Sequence, residues 1–293
     1  MTDIVKIKEW LDESDVIIIG AGAGLSDAAG IHYSGEKFEN DFKDFINKYK
    51  ITDLYTSSFY PFKTEEEKWA YWAKHIFFSY YERKHTELYK KLFELVKDKT
   101  YFVITTNTDG QFINNGFDKS KVFEVQGSYS KLQCCKPCHN KLYDNEEQVY
   151  EMLNNIDDNL KIPTELVPKC PVCGKNMSVN LRCDDTFVED DNWHKMKEKY
   201  YNFIEENIDN KVLLLEFGIG FNTPGIIRFP FEELTFLRDN FKLVRFNDKY
   251  SEVPKEIKNK SISVSDSIYE TIDLIEKLKK IIHNYCGLFI FYK

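Results

Sequence analysis

Short runs of apolar residues recur along the chain, and each run is long enough to form one buried strand. The first, Asp15–Gly20, reads D-V-I-I-I-G and shows no alternation of polar and apolar positions. A strand that is apolar on both faces is typical of a parallel sheet covered by helices on both sides. On this basis six strands are predicted, at Asp15–Gly20, Tyr101–Thr106, Lys121–Val125, Val212–Phe217, Phe241–Phe246 and Ser261–Val264.

Helical periodicity occupies much of the sequence between these strands. Apolar residues recur at helical spacing in Glu87–Asp98, and an amphipathic helix is predicted over Ser267–Ile282. Another helix is expected to open near Ser26. Strands that alternate with helices indicate an α/β fold with a doubly wound parallel sheet.

Two stretches interrupt this alternation. Residues 34–84 are rich in aromatic side chains and are interpreted as a helical insertion over the cofactor side of the sheet. The simplest role for these aromatics is a packed helical core. Residues 127–191 carry most of the cysteines and form a second insertion.

The composition narrows the range of partners. The chain has 293 residues, with 40 Lys and Arg against 48 Asp and Glu, which gives a net charge of -8. A net-acidic chain without a basic block is not expected to bind nucleic acid or a membrane surface. No apolar signal precedes the first strand and no apolar run is long enough to span a bilayer, so the expected location is the cytoplasm.

A glycine-rich turn follows the first strand. Residues 20–26 read G-A-G-A-G-L-S and precede a predicted helix. In this context backbone N–H groups and a helix N-terminus can face a pyrophosphate, and small residues allow the close approach. The alternative is that the glycines serve only close packing between the strand and the helix.

Most of the seven cysteines lie in two groups. Cys134, Cys135 and Cys138 form the first group, and Cys170 and Cys173 form the second within C-P-V-C-G. Two thiolate pairs separated by a loop suit a tetrahedral structural zinc site. The first pair can be either Cys134 or Cys135 together with Cys138. The other two cysteines are interpreted as ordinary thiols: Cys183 and Cys286.

Several motifs together resemble the signatures of the sirtuin family. Residues 22–31, G-A-G-L-S-D-A-A-G-I, are similar to the signature G-A-G-I-S-x-x-S-G-I, and residues 105–109, T-T-N-T-D, to T-Q-N-I-D. Residues 218–220 and 246–247 stand where sirtuins have a G-T-S turn and an I-N pair. The matches keep the same order over nearly the whole chain. The resemblance implies a single sirtuin-type domain over residues 1–293, with a Rossmann-like core, a zinc-binding module and NAD as substrate.

The resemblance also implies roles for individual residues. Asn107 would contact the nicotinamide ribose and help to position the nucleophile, and Ser26 would donate to phosphate. Asp109 would hydrogen-bond the nicotinamide amide or a ribose hydroxyl, or would only cap its loop. Asn247 would meet the adenine ribose, and Tyr33 would pack near nicotinamide. The implied cofactor-binding set is Gly22, Ala23, Gly24, Ser26, Asp27, Tyr33, Gln126, Gly218, Gly220 and Asn247.

Three departures distinguish the chain from the deacylases of this family. Gln126 replaces the histidine that acts as general base, and an amide can orient ribose hydroxyls but has no pKa suited to taking their proton. The acyl-lysine-binding strand V-x-F-G-E reads T-F-V-E-D at residues 186–190, and the G-T-S-L turn reads G-I-G-F at residues 218–221. The peptide groove is therefore not expected to grip acyl-lysine in the usual way.

These departures resemble the class M sirtuins. That microbial subgroup shares the glutamine, a C-x-x-x-C first pair and a D-D-T-F-V-E-D stretch, here at residues 184–190. The resemblance implies a protein ADP-ribosyltransferase, linked to a macrodomain protein, that modifies a lipoylated glycine-cleavage H-like carrier protein. An acceptor carboxylate would need no base because it is already ionised at pH 7.

The resemblance bears on the zinc ligands as well. Sirtuins place the first cysteine ligand eight residues after the catalytic position, and the residue eight positions after Gln126 is Cys134. This spacing favours Cys134 over Cys135 and leaves His139 as a weaker candidate. The implied ligand set is Cys134, Cys138, Cys170 and Cys173.

Two other functions stay open at this point. The first is a deacylase that tolerates the glutamine, which would form O-acyl-ADP-ribose from acylated peptides and NAD. The second is a catalytically silent NAD-sensing scaffold, which would release no nicotinamide in the presence of the carrier protein.

Overall fold

The computed structural model describes the backbone of residues 2–290 and the side chains of residues 3–279. The strands of this part of the chain are β1 Val16–Ala21, β2 Thr100–Thr105, β3 Val122–Glu124, β4 Gly127–Cys134, β5 Tyr143–Asp144, β6 Met177–Leu181, β7 Val212–Phe217, β8 Phe241–Phe246 and β9 Ser261–Val264. The α-helices are α1 Thr2–Glu13, α2 Ala23–Ala28, α3 Glu36–Asp41, α4 Lys43–Tyr49, α5 Leu54–Ser57, α6 Glu65–Ile76, α7 Glu87–Val96, α8 Gln111–Asn114, α9 Glu146–Asn154, α10 Asp191–Glu206, α11 Arg228–Leu237 and α12 Ile268–Ile290. A π-helical turn, Phe77–Tyr81, directly continues α6.

Six strands form the main sheet, in the order β3-β2-β1-β7-β8-β9, and all of its pairs are parallel. The chain adds β2 and β3 on one side of β1 and later adds β7, β8 and β9 on the other. The strand order therefore reverses between β1 and β7, which makes the sheet doubly wound as predicted.

Helices cover both faces of this sheet because its central strands are apolar on both. Ile17 and Ile19 face a core shared with α1, α7 and α12, whereas Val16 and Ile18 face a core shared with α10 and α11. All four side chains are buried. Full burial of a side chain of this size stabilises a fold by about 1.5–3 kcal/mol.

The predicted boundaries need small corrections. The bounds of β7, β8 and β9 agree with the prediction at both ends, and those of β1, β2 and β3 differ by one residue at each end. The helix after the glycine-rich turn begins at Ala23 rather than near Ser26, because the turn itself enters the helix. Helix α7 ends at Val96, and α12 begins at Ile268 and continues past residue 282 to Ile290.

The two insertions share one hydrophobic core. Strands β4, β5 and β6 form a small sheet in the order β5-β4-β6, and its pairs are antiparallel. Helix α6 contributes Trp69 and Tyr71, both buried, to a core that also contains Cys134 and Cys170. Most aromatic residues of the helical insertion are thus core residues, as the simpler interpretation predicts, whereas Tyr55 and Phe59 are exposed.

None of the helices within the described residues combines the length and the apolar character needed to cross a membrane. The side chain of Cys286 lies outside the described residues.

Candidate functional site

Strands β1, β2, β3, β7 and β8 end at the carboxyl edge of the main sheet, and the region between the loops that follow them is called the crevice. Doubly wound sheets bind ligands at this edge, at the point where the strand order reverses. The residues predicted to bind NAD or to act in catalysis, except Ser26, Asp27 and Tyr33, lie within a few residues of these five strand ends.

The glycine-rich turn packs against the loop that follows β7. The N–H of Gly24 donates to the carbonyl of Gly218 over 3.1 Å, and a Cβ on Gly24 would lie 2.7 Å from the Gly218 Cα. Gly218 has a φ of 60°, a conformation that favours glycine. Close packing between the turn and this loop thus explains these two glycines, whereas the alternative places the packing between the strand and the helix. Ala23 is exposed at the start of α2, and Gly220 has open space around it.

Asn107, at the end of β2, is held by its amide nitrogen. This nitrogen donates to the Gly22 carbonyl over 2.9 Å, to the Ser26 hydroxyl over 3.0 Å and to the Tyr89 hydroxyl over 3.4 Å. The Asn107 Oδ1 accepts no hydrogen bond from the described part of the chain. The amide is therefore fixed in orientation with its oxygen free to accept from a ligand hydroxyl.

Asp109 belongs to the same buried cluster as Asn107, Ser26 and Tyr89. The Ser26 hydroxyl donates to one carboxyl oxygen over 2.5 Å, and the Gln111 N–H donates to the other over 3.2 Å. Burial raises the pKa of the Asp109 carboxyl, although these hydrogen bonds oppose the rise. Burial and the nearby Asp109 charge also raise the pKa of Tyr33 to about 12. Tyr33 is half-buried and lies near Asp109.

Gln126 directly precedes β4, and its backbone is tightly fixed. Its carbonyl accepts from the Arg182 N–H over 3.1 Å. The next residue, Gly127, has a φ of 89°, and a Cβ there would lie 2.1 Å from the Asn180 carbonyl oxygen. The Gln126 side chain is half-buried and makes no hydrogen bond to the described part of the chain. A fixed backbone thus presents a free amide at the crevice.

The remaining cofactor candidates lie in different surroundings. The Asn247 amide nitrogen donates to the Ile219 carbonyl over 2.8 Å, and its oxygen accepts from the Lys249 and Tyr250 N–H groups. Asn247 therefore joins the loops after β7 and β8. Asp27 lies on the surface, paired with His32 over 2.6 Å, and takes no part in the buried cluster.

A buried ion pair supports the loop after β8. Arg245 and Glu216 form two hydrogen bonds, of 2.7 and 2.9 Å, and both side chains are fully buried. Arg245 also donates to the Glu252 carbonyl over 2.6 Å, and Arg228 donates to the same carbonyl over 3.1 Å. These bonds fix the loop that follows Asn247.

The segment of residues 184–190, which includes the stretch 186–190 compared with the acyl-lysine strand, is hydrogen-bonded by two buried amide side chains. Gln133 donates to the Thr186 carbonyl over 2.8 Å and accepts from the Val188 N–H over 3.0 Å. Asn180 donates to the Val188 carbonyl over 3.1 Å. These backbone groups are therefore not available to a peptide strand, and the segment itself is not a strand.

Four cysteines converge at the far end of β4. The sulfur atoms of Cys134, Cys138, Cys170 and Cys173 all lie within 4.8 Å of one another. The Cys134–Cys173 sulfur distance is 3.6 Å and the Cys138–Cys170 distance is 3.7 Å. Zinc bonds of about 2.3 Å in a tetrahedron separate the sulfurs by roughly 3.8 Å, so the set fits zinc. Cys135 and His139 are not part of this set.

Several residues of the site do not belong to the matched motifs. Tyr89 on α7 contacts both Ser26 and Asn107, and Gln133 and Asn180 bind the 184–190 segment. Their roles depend on long-range contacts that spacing in the sequence does not reveal. Glu124 could have been found, because it stands two positions before Gln126 in a strand.

Comparison with known proteins matches the chain to one family. The family model described as "Sir2 family" matches residues 22–213. A protein ADP-ribosyltransferase of Staphylococcus aureus is 37% identical over 263 residues, which are 89% of this chain and 83% of that protein. A probable bifunctional ADP-ribose hydrolase/ADP-ribosyltransferase of Fusarium oxysporum is 31% identical over 81% of this chain, which spans 41% of that longer protein.

Solved structures agree on the fold. A Sir2 homologue mutant in complex with ADP-ribose aligns over 95% of this chain and 97% of its own, with a TM-score of 0.59 and 15% identity. A Sir2 mutant with a p53 peptide and NAD aligns over 95% and 99%, with a TM-score of 0.59 and 19% identity.

Proposed function

The chain belongs to the Sir2 family, whose members are NAD-dependent enzymes, and on that premise we propose that it transfers ADP-ribose from NAD to a protein acceptor and releases nicotinamide. One observation carries the proposal. The Asn107 oxygen and the Gln126 amide, which have no hydrogen-bond partner among the described residues, lie at neighbouring strand ends. At position 126 a deacylase of this family would have a histidine base.

The residues of the crevice support distinct roles in this reaction. Nicotinamide leaves from ribose C1′ through a transition state with positive charge on the ribose, which fixed oxygens stabilise. In the proposal, the Asn107 oxygen accepts from a ribose hydroxyl and the Gln126 amide orients a second one. Asp109 holds Ser26 and Asn107 in place, and Tyr33 packs beside the nicotinamide.

The remainder of NAD is assigned to the two glycine-containing loops. Gly22, Ala23 and Gly24 would face the pyrophosphate, with Gly218 and Gly220 opposite. Asn247 would act on the adenine ribose by fixing its loop, since its own side chain already bonds within the protein. Ser26 and Asp27 stay weaker assignments, because the Ser26 proton is engaged by Asp109 and Asp27 points to the surface.

The acceptor is proposed to be a lipoylated glycine-cleavage H-like carrier protein, with a macrodomain protein as functional partner, as in class M sirtuins. The bound state of the 184–190 segment supports an acceptor other than an acyl-lysine peptide, because that segment cannot pair with a peptide through Thr186 and Val188. Zinc, bound by Cys134, Cys138, Cys170 and Cys173, would supply structural stability to the adjoining module.

Mass spectrometry of the lipoylated carrier after incubation with this protein and NAD tests the proposal. A mass increase of one ADP-ribose on the carrier, together with released nicotinamide, is the expected result. Acylated peptides in place of the carrier serve as the comparison. Formation of O-acyl-ADP-ribose, with an unmodified carrier, would show a deacylase instead.

A further inference from the structure

A carboxyl group that the mechanism above does not use lies at the end of β3. Val122 packs in the core shared with α7 and α12, whereas Phe123 and Val125 pack in the core of the opposite face. Side chains alternate between the faces of a strand, and the Val125 N–H still pairs with β2. The side chains of Glu124 and Gln126 therefore project to the same side of the strand as the Val122 side chain.

The neighbours of Glu124 come from four other parts of the structure. Asp109 approaches from the loop after β2, and Tyr80 of the π-helical turn interacts with both carboxyl groups. The Tyr80 ring is fixed against Gly110, where a Cβ would come within 2.4 Å of it. Lys119, before β3, and Lys131, on β4, are the nearby cations. Glu124 thus belongs to the cluster around Asp109.

Glu124 is enclosed by these groups yet remains half-buried, like Gln126 beside it. Burial and the charge of Asp109 raise the pKa of Glu124 to about 8, although Lys119 and Lys131 oppose the rise. An acid whose pKa lies near the pH of the reaction is partly ionised and also basic enough to accept a proton.

We propose that Glu124 is the proton acceptor of the transfer reaction, in place of the amide at position 126. The proposal rests on the proposed ADP-ribosyl transfer. The bond between ribose C1′ and the nicotinamide nitrogen breaks, and its electron pair leaves with nicotinamide, which becomes neutral. A lone pair on the acceptor oxygen or sulfur forms the new bond to C1′. The proton of that hydroxyl, thiol or water passes to the Glu124 carboxylate and then to solvent.

These two separate roles determine which kind of nucleophile the acceptor must carry. Gln126 orients the ribose, and Glu124 accepts the proton that Gln126 cannot. The site would then accept a nucleophile that arrives with a proton, whereas an ionised carboxylate acceptor would gain nothing from Glu124.

The rate of nicotinamide release between about pH 6 and pH 10 tests the assignment in the full-length protein. NAD is supplied either alone, with water as the nucleophile, or with the lipoylated carrier. We expect the wild-type rate to rise through about pH 8 as Glu124 ionises. Glu124→Gln should remove this rise and lower the rate at pH 8 by about 100-fold or more. Glu124→Asp should retain a rise, and Glu206→Gln, at the exposed end of α10, should match the wild type.

The possible outcomes separate this assignment from the proposed function. A Glu124 residue with a merely structural role would give a Glu124→Gln variant that is slower but keeps the pH-dependent rise, and this result overturns the assignment. Equal profiles for wild type and Glu124→Gln overturn it too and leave ADP-ribosyl transfer standing. A wild-type protein that releases no nicotinamide with water or carrier overturns both.

Discussion

The side-chain amide of Asn107 is hydrogen-bonded through its nitrogen, and its oxygen has no partner among the described residues. The nitrogen has three partners in the protein. We predict that Asn107→Ala lowers ADP-ribosyl transfer by about 10²–10³, because a fixed transition-state contact is lost. The fold should survive, since the three lost hydrogen bonds contribute about 0.5–1.5 kcal/mol each, less together than the roughly 5–15 kcal/mol of a typical domain. Circular dichroism and transfer assays measure both.

Asn155→Ala is the matched control for this variant. The Asn155 amide nitrogen also donates to a backbone carbonyl, that of Glu151 on α9, but Asn155 lies outside the crevice. Equal transfer rates for Asn107→Ala and Asn155→Ala would contradict the role of Asn107.

Gln126 separates the two chemistries of the family. A histidine at this position would restore a base with a pKa of about 6.5, yet the acceptor must also be held in position to react. Because Gln133 and Asn180 bind the 184–190 segment, we predict that Gln126→His alone does not create efficient deacylation. Gln126→Ala should reduce ADP-ribosyl transfer, because an orienting amide is lost.

Side-by-side assays of both variants with an acyl-lysine peptide and with the lipoylated carrier measure these effects. Robust deacylation by Gln126→His would mean that the peptide groove is competent. Transfer by Gln126→Ala at the wild-type rate would show that the Gln126 side chain has no role in orienting the ribose.

At the scale of elements, β4 connects the crevice to the cysteine cluster. The strand begins next to Gln126 and ends at Cys134. We predict one zinc per chain and loss of structure in the small module when a chelator removes it, because such sites contribute directly to folding. Metal analysis and near-ultraviolet circular dichroism follow the two effects.

Two single substitutions sharpen this prediction. Cys134→Ser should lose zinc, whereas Cys135→Ser should keep it, because the Cys135 sulfur is not among the four that converge. If Cys134→Ser retained zinc and Cys135→Ser lost it, Cys135 rather than Cys134 would be the zinc ligand.

The strands of the main sheet could be predicted because burial on both faces leaves a continuous apolar run, as in Val212–Phe217. The strands of the small sheet could not. Gly127–Cys134 mixes buried polar residues such as Ser128 and Gln133 with apolar ones, so it shows no clean alternation. Their pairing depends on contacts with Met177–Leu181, some fifty residues away, which local pattern cannot reveal.

For the whole molecule, the sequence predicts two insertions but not that residues of both pack in one core. Helix α6 packs on α9, so Trp69 and Met152 belong to the same cluster although the main sheet separates them in sequence. The sequence of an aromatic-rich helix does not show which of its faces packs on which partner, because that depends on the assembled fold. The motifs of the crevice were easier to predict, because each follows a strand end.

This shared core contains a buried histidine that makes the whole molecule sensitive to acid. His75 is fully buried, lies 3.1 Å from the Tyr71 hydroxyl and stacks on Trp72. Burial lowers the pKa of His75 to about 3. In the unfolded chain a histidine has a pKa of about 6.5. Between these values the unfolded state binds a proton that the folded state does not, so stability must fall as the pH falls from about 6.5 towards 3.

We predict that His75→Phe weakens this dependence. Phenylalanine keeps an aromatic ring against Trp72 but cannot bind a proton, and Tyr71 can still donate to the Leu54 carbonyl. Urea unfolding at about pH 7, 5.5 and 4.5 measures the effect. Over the lower interval the free energy of unfolding of the wild type should fall more steeply, by about 1.4 kcal/mol per pH unit. The other titrating groups are common to both proteins and cancel in the comparison. Parallel pH dependences for the two proteins would mean that His75 takes up its proton in the folded state as readily as in the unfolded chain.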